Sequence, residues 1–386
     1  MNAEDFLKAA VEIEQVDESD GLLKSPLLQD LKLCSPDGRC SISRHEVPAI
    51  AKLLRVASRM ERVFSVRLPW NPQMFFFGAS ATMQGGQGSQ FSGDGAPMRT
   101  DYGGVGFTAL QAFCACAGEA AEHDAMLMRH DDPRINADGT VELLGLNFLP
   151  EARMKARSVL RRAGAVPDAH PRTSTGYAAG QNLRQAAESA ALECIERHAL
   201  SLWFSGDCGL VDLTPAITPG TAWAQHLRFA EGGVKFFLVR HDQGDMPVVV
   251  ALSHMADGEI AVGYGCAGDE HTAALKAYRE ACQNEFGLQL DARNARTAER
   301  SKTGDPFVHL ARSAMFRERQ SLFDCDESRK MKTGPGQQKN VLARINSQAR
   351  FADLTVPSEG IPVVCAFLPG LRDITAERQG RVPWPV

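Results

Sequence analysis

Glu119-x-x-Glu122-His123 and Glu193-x-x-Glu196-Arg197 repeat one arrangement at two places in a chain of 386 residues. Gly106 stands 13 residues before Glu119, and Gly180 stands 13 residues before Glu193. Gln111-Ala112 matches Gln185-Ala186 inside that interval. A looser third copy starts near Gly268 and ends in Glu280-x-x-Gln283-Asn284, with an interval one residue shorter. Residues three apart share a helix face, so each pair presents two carboxylates on one side. The other side of the second helix is apolar, with Ala191, Leu192, Ile195, Ala199 and Leu202. Like charges at this spacing destabilise a helix unless something neutralises them. Two such helices converging would gather four carboxylates, and Mg²⁺, which takes carboxylate, water and phosphate oxygens, meets that need. Glu119, Glu122, Glu193 and Glu196 are therefore candidate metal ligands. For either pair alone, a solvated helix face is the plain alternative.

The elements that must position these groups follow from periodicity. Long helices are expected over about 108–128, 183–204 and 271–290, and a further helix over His45 to Phe64. Strands are expected at 72–80, 235–239, 248–252, 260–263 and 362–368. Two glycine loops precede acidic helices: Gly103-Gly104-Val105-Gly106, and Ser174-Thr175-Gly176-Tyr177-Ala178-Ala179-Gly180. Such loops can cradle phosphate through backbone N–H groups and the helix dipole. No GxxxxGK[ST] motif is present, so a nucleotide would bind in another way. Long helices mixed with strands give an α+β class.

Composition excludes several functions. Apolar residues make up 44% and charged residues 23%, with a formal net charge of -5, which fits a folded chain and no general nucleic-acid binder. The N-terminus, MNAEDFLKAAVEIEQ, lacks a signal-peptide pattern, and no apolar run is long enough to span a membrane, so the chain reads as cytoplasmic. Its ten cysteines include no CxxC pair and read as reduced thiols. His198, His226, His241, His254 and His271 form no HxH or HExxH arrangement and read as structural or surface residues.

The segment Thr173–Gly180, followed by Ser189-x-x-x-Glu193-x-x-Glu196-Arg197 and Trp203, resembles the ATP-binding core of the YcaO family. Glu119-x-x-Glu122 is similar to its first acidic helix, and Lys276 with Glu280-x-x-Gln283 to its third nucleotide-contacting helix. The strand IPVVCAFLPG and the terminal Pro383-Trp384-Pro385-Val386 are also YcaO-like. The resemblance implies a YcaO-type fold of long acidic helices on β-sheets, with ATP as cofactor and Mg²⁺ on Glu119, Glu122, Glu193 and Glu196. It implies nucleotide contacts from Ser174, Gly176, Ser189, Arg197, Lys276, Glu280 and Gln283. It further implies that Arg197 and Lys276 serve the transferred phosphoryl group and that the Val386 carboxylate acts as a base. The activity implied is closure of Cys, Ser or Thr in a ribosomally made precursor peptide to azolines, as in the microcin-type thiazole/oxazole synthetases. Thioamide or amidine formation, or a non-catalytic scaffold subunit, are the alternatives.

The resemblance spans roughly residues 72–386, which reads as the catalytic domain, with 1–71 a mainly helical segment open to a partner. It implies as partners an E1-like leader-peptide-binding protein and a flavin-dependent azoline dehydrogenase, with FMN on that dehydrogenase alone. A homodimer or a hetero-oligomer is the implied assembly. Four positions depart from the family pattern: Ala115, Val105, His123, and the stretch after Gln283, where an arginine is expected.

Overall fold

The computed structural model describes residues 2–15, 23–35, 37–39, 41–82, 99–129, 131–162, 174–217, 233–242, 246–297, 308–325 and 341–372. In chain order its elements are α1 (Ala3–Glu14), α2 (Pro26–Asp30), α3 (Val47–Ala57), β1 (Glu61–Leu68), β2 (Asn71–Thr82), β3 (Arg99–Gly106), α4 (Ala109–Met126), β4 (Leu127–Met128), β5 (Thr140–Leu144), β6 (Pro150–Lys155), β7 (Arg161–Arg162) and β8 (Tyr177–Ala179). There follow α5 (Leu183–Phe204), β9 (Leu210–Asp212), α6 (Thr214–Ile217), β10 (Val234–Val239), β11 (Val248–His254), β12 (Ile260–Cys266), α7 (Glu270–Thr297), α8 (Val308–Glu318), β13 (Arg350–Asp353) and β14 (Val363–Phe367). Helices and sheets are mixed, as an α+β class requires. One compact unit comprises Met1–Arg67, Gln73–Ala191 and Ile345–Pro369, and a second comprises Leu68–Pro72, Leu192–Arg344 and Gly370–Val386, each over its described residues.

The first unit holds a sheet in the order β1-β2-β3, a second in the order β6-β5-β13-β14-β8, and the short parallel pair β4-β7. Its apolar core joins Phe6 and Ile13 of α1, Leu54 of α3, Phe77 of β2, Phe113 of α4, Tyr177 of β8 and Cys365 of β14. Phe113 stacks on Phe6 at 6.2 Å between centroids and meets Phe77 edge-on at 5.3 Å. The N-terminal helices thus share their core with the strands and with α4. The helix expected over His45–Phe64 covers only Val47–Ala57. The remainder is β1, whose Val63 and Val66 suit a strand.

The second unit is built on the antiparallel sheet β12-β11-β10-β9, with α7 packed against β11 and β12. Every residue of β12 is buried, as are all of β11 but His254, which explains their unbroken apolar runs.

Two strand–helix pairs are packed by one device. A Cβ on Gly104 would meet Ala112 O at 2.3 Å and Cys116 N at 2.5 Å. A Cβ on Gly265 would meet Ala273 O at 2.3 Å and Ala277 N at 2.7 Å, at the same sequence separations. Only glycine on the strand and alanine on the helix allow so close an approach. This register pairs Gly104 with Gly265, Gly106 with Ala267 and Glu119 with Glu280, so the third copy keeps the interval of 13 residues, with Ala267 rather than Gly268 at the position of Gly106. The expected helix starts carry matching caps. Thr108 Oγ1 accepts from Gln111 N at 3.1 Å, Asn182 Oδ1 from Gln185 N at 2.9 Å, and Asp269 Oδ1 from Thr272 N at 2.9 Å.

Candidate active site

Strand edges explain where the carboxylates point. β3 and β8 are each the last strand of a sheet, so their outward amides need acceptors from elsewhere. The Gly103 N–H donates to Glu119 Oε2 at 3.0 Å, and the Ala179 N–H donates to Glu122 Oε1 at 2.7 Å. The acidic face of α4 therefore lies along two open sheet edges at once. Burial raises the Glu119 carboxyl to about 7, against the opposing pull of the Gly103 N–H. The Gly103–Gly106 stretch is a strand, not a phosphate loop. Gly104 and Gly106 are small because α4 lies against them.

In the second unit β12 is likewise an edge strand. Ser313 Oγ accepts from Ile260 N at 2.7 Å, Asn284 Nδ2 donates to Val262 O at 2.7 Å, and Glu280 Oε2 accepts from Tyr264 N at 2.6 Å. The Tyr264–Glu280 bond spans the same sequence separation as Gly103–Glu119. Burial, and then the Glu196 charge, raise the Glu280 carboxyl to about 7. Arg197, the Tyr264 N–H and Arg312 pull it the other way. Arg197 lies 3.7 Å from Glu193 and 3.4 Å from Glu196. Burial opposes its charge, but Glu196, Glu193 and Glu280 outweigh burial and raise its pKa.

The expected site residues thus fall into two sets. In the first unit, Glu119 and Glu122 sit on α4, and Ser189 is half-buried on α5. Ser174 is exposed just before β8, and Gly176 turns the chain into β8 at φ +81, a backbone conformation that favours glycine. In the second unit, Glu193, Glu196 and Arg197 form one charged group, which Glu280 joins electrostatically. Lys276 donates to Cys266 O at 3.1 Å, and Gln283 is half-buried one turn from Glu280. Val386, with its prolines, and Thr173 lie outside the described residues.

Sequence reasoning missed Tyr264 and Arg312. Tyr264 carried a usable signal: it stands as far before Glu280 as Gly103 stands before Glu119. Arg312 lies on α8, which is not among the helices expected from periodicity.

Carboxylates fastened to sheet edges, on helices packed over strand glycines, define a class of α+β protein, and comparison supplies its family. A family model described as YcaO cyclodehydratase, ATP- and Mg²⁺-binding, matches residues 159–372, more than half of the chain. The chain belongs to the YcaO family, and ATP and Mg²⁺ are the family's ligands. Solved structures agree in fold. The YcaO protein of Methanopyrus kandleri, bound with AMPPCP and Mg²⁺, aligns over 84% of this chain and 90% of its own, at 19% identity and a TM-score of 0.61. A heterocyclase in complex with substrate and cofactor aligns over 98% of this chain at 15% identity and a TM-score of 0.63, and this chain covers 58% of its length. The E. coli microcin synthetase McbBCD complex with pro-MccB17 bound has a chain that aligns over 77% of this one and 85% of its own, at 14% identity and a TM-score of 0.53. No curated protein sequence matches the chain. Among the described residues, no helix is long and apolar enough to cross a membrane.

The residues present fit a nucleotide's phosphates and a hard cation. Arg197 Nη1 and Tyr264 Oη are buried without a hydrogen-bond partner among the described residues, and each can donate to an oxygen. A dication near Glu119 or Glu280 would favour their ionised forms and offset the cost of burying them. Among the described residues, no three His, Cys, Asp or Glu side chains are gathered in a metal-binding cluster. Backbone amides meet Glu119 and Glu122, and Arg197 meets Glu193 and Glu196.

Proposed function

We propose that the chain is an ATP- and Mg²⁺-dependent peptide cyclodehydratase that closes Cys, Ser or Thr side chains of a ribosomally made precursor onto the preceding backbone amide, giving azolines. The observation that carries this reading is the buried Arg197 and Tyr264 donor pair beside Glu196 and Glu280, in a chain of the YcaO family. When bound, ATP supplies the phosphoryl group that turns the amide oxygen into a leaving group. Glu119, Glu122, Glu193 and Glu196 would hold Mg²⁺. Ser174, Gly176, Ser189, Glu280 and Gln283 would bind the nucleotide, and Arg197 and Lys276 would balance its charge. The Val386 carboxylate would take the proton from the attacking Sγ or Oγ, with Pro383 and Pro385 limiting the freedom of its segment.

On this reading residues 72–386 form the catalytic domain and residues 1–71 face a partner. Leu7 and Val11, each 48% exposed and one turn apart on α1, support that assignment. The partners are the precursor peptide, an E1-like leader-peptide-binding protein and a flavin-dependent dehydrogenase, all in the cytoplasm.

The test is mass spectrometry of a precursor incubated with the chain and its partners. One water should be lost per ring, only with ATP and Mg²⁺ present. Replacement of oxygen by sulfur would select thioamide formation instead. Glu193→Ala and Glu196→Ala should fold and give no product, and full activity in either would remove the metal assignment. Deleting Pro385 and Val386 should cut turnover more than ATP binding.

A further inference from the structure

α8 lies along the open edge of β12 and is fastened there by its own side chains. Ser313 Oγ takes the Ile260 N–H at 2.7 Å and donates to Glu259 Oε2 at 2.5 Å, and Arg317 Nη1 donates to Glu259 Oε1 at 2.8 Å. The start of the helix is capped as well: Asp291 Oδ2 accepts the N–H groups of His309 at 3.0 Å and Leu310 at 3.4 Å. Arg312 takes no part in this fastening. It is half-buried, and among the described residues it makes no ion pair and no hydrogen bond.

Arg312 instead lines a small pocket between α8, α7 and the strand edge. The walls are Ile260, Val262, Leu288 and Phe316, and the polar side chains are Asn284, His309 and Arg312. Along an antiparallel edge strand, backbone groups face alternately inward and outward. On β12 the outward residues are Ile260, Val262 and Tyr264, which Ser313, Asn284 and Glu280 meet. Ser313 and Glu280 take the N–H groups of their residues, whereas Asn284 covers only the Val262 carbonyl. The Val262 N–H is left at the pocket with no side-chain acceptor among the described residues. His309 adds a second donor. Its ring sits on Gly287 of α7, where a Cβ would come within 2.4 Å of Nε2, and its Nδ1 is buried without a partner among the described residues. Burial holds the ring neutral, against the pull of Asp291 and with the help of Arg312. A neutral ring with its proton on Nδ1 donates into the pocket.

Two N–H donors and one unpaired guanidinium, set among apolar walls, suit an anionic oxygen. The enclosed space is about 10 Å³, room for one oxygen. A phosphoryl group carries three free oxygens round one centre and does not enter. A carboxylate does: one oxygen goes in, and the second stays at the guanidinium, whose fork matches it. We propose that this pocket binds a carboxylate on a short aliphatic stem, with one oxygen on the Val262 N–H and His309 Nδ1, the other on Arg312, and the stem along Leu288 and Phe316. Asn284 stands one turn beyond Glu280 on α7, so the acid lies beside the nucleotide site and does not compete with it. The pocket takes this ligand whatever product the chain forms.

The test is binding to the full chain, read by calorimetry and by NMR of the histidine side chains. N-acetylglutamate N-methylamide should bind and should shift the His309 ring resonances, and N-acetylglutamine N-methylamide should bind at least tenfold more weakly. Arg312→Met keeps the aliphatic stem and should weaken the glutamate derivative tenfold or more; Arg312→Lys, which keeps charge without the fork, should fall between. Both variants should bind AMPPCP with Mg²⁺ within about threefold of wild type. Butyrate, the same acid without peptide groups, separates two sources of the ligand: equal affinity supports a free acid, and weaker binding supports an acidic residue of a peptide. Equal affinity for the glutamate and glutamine derivatives would overturn the proposal, as would His309 resonances in the wild type that stay in place when the glutamate derivative binds. A tenfold loss of AMPPCP in both Arg312 variants, with the glutamate derivative unaffected, would assign Arg312 to the nucleotide's phosphates and overturn it too.

Discussion

Replacing Glu280 with glutamine should stabilise the ligand-free protein and remove its response to nucleotide. Glu280 is raised from its usual 4.5 to about 7, first by burial and then by the Glu196 charge. A carboxyl raised in the folded state binds more protons there than in the unfolded chain. Its contribution to stability is therefore complete below about 4.5 and is lost as pH rises through about 7. At about 1.4 kcal/mol per tenfold change, full ionisation costs up to about 3 kcal/mol. Glutamine keeps an oxygen for the Tyr264 N–H and never ionises, but it adds two donors that need partners. The net gain should be about 1–2 kcal/mol at pH 8, or roughly 1–3 °C in Tm, and close to zero at pH 5. Thermal denaturation with and without Mg²⁺ and ATP is the assay. Ligand at about a hundredfold over Kd should add about 2.7 kcal/mol to the wild type and far less to Glu280→Gln. A variant less stable than wild type at pH 8 without ligand would refute the claim that a buried charge is being carried for a ligand's sake.

Other outcomes follow from the same geometry. Gly265→Ala would place a Cβ 2.3 Å from Ala273 O and should cost about 3 kcal/mol or more, whereas Gly209→Ala, with nothing within 4 Å, should change denaturant stability by less than about 0.5 kcal/mol. Tyr264→Phe removes a buried hydroxyl that has no partner among the described residues, so ligand-free stability should hold or rise by about 1 kcal/mol while calorimetry shows weaker nucleotide binding. Burial, and then the neighbouring Asp124, raise Glu359 to about 7, so stability should also fall as pH climbs through about 7. Glu359→Gln should flatten its share of that fall, and because Glu359 pairs with Arg59 rather than with the site carboxylates, Mg²⁺ and ATP should leave that share in place.

The site was legible wherever chemistry repeats at short range. Face-sharing glutamates act over three residues, so the pairs Glu119–Glu122 and Glu193–Glu196 could be read from spacing alone. The third copy reads one residue short from the sequence because an alanine, Ala267, stands where the other copies have glycine and Gly268 follows it. Its register is fixed by the contact of Gly265 with α7, which depends on side-chain volume across two elements. The same ambiguity made Gly103–Gly106 read as a phosphate loop, since glycine serves both a cradle and a close approach and the sequence marks the two alike. The edge strands were not legible, because which strand is last in a sheet depends on pairing between distant segments. Yet edge position is what gives the acidic residues their order. Glu119, Glu122 and Glu280 each bind an outward strand amide through one carboxylate oxygen, and a carboxylate held this way keeps acceptor capacity on its other oxygen. The sheet edge and the site are therefore one piece of construction. The backbone amide orients the carboxylate, and burying it raises the energy of its charged form. A sequence change that capped those edges in another way would leave the helices intact and the carboxylates unaimed.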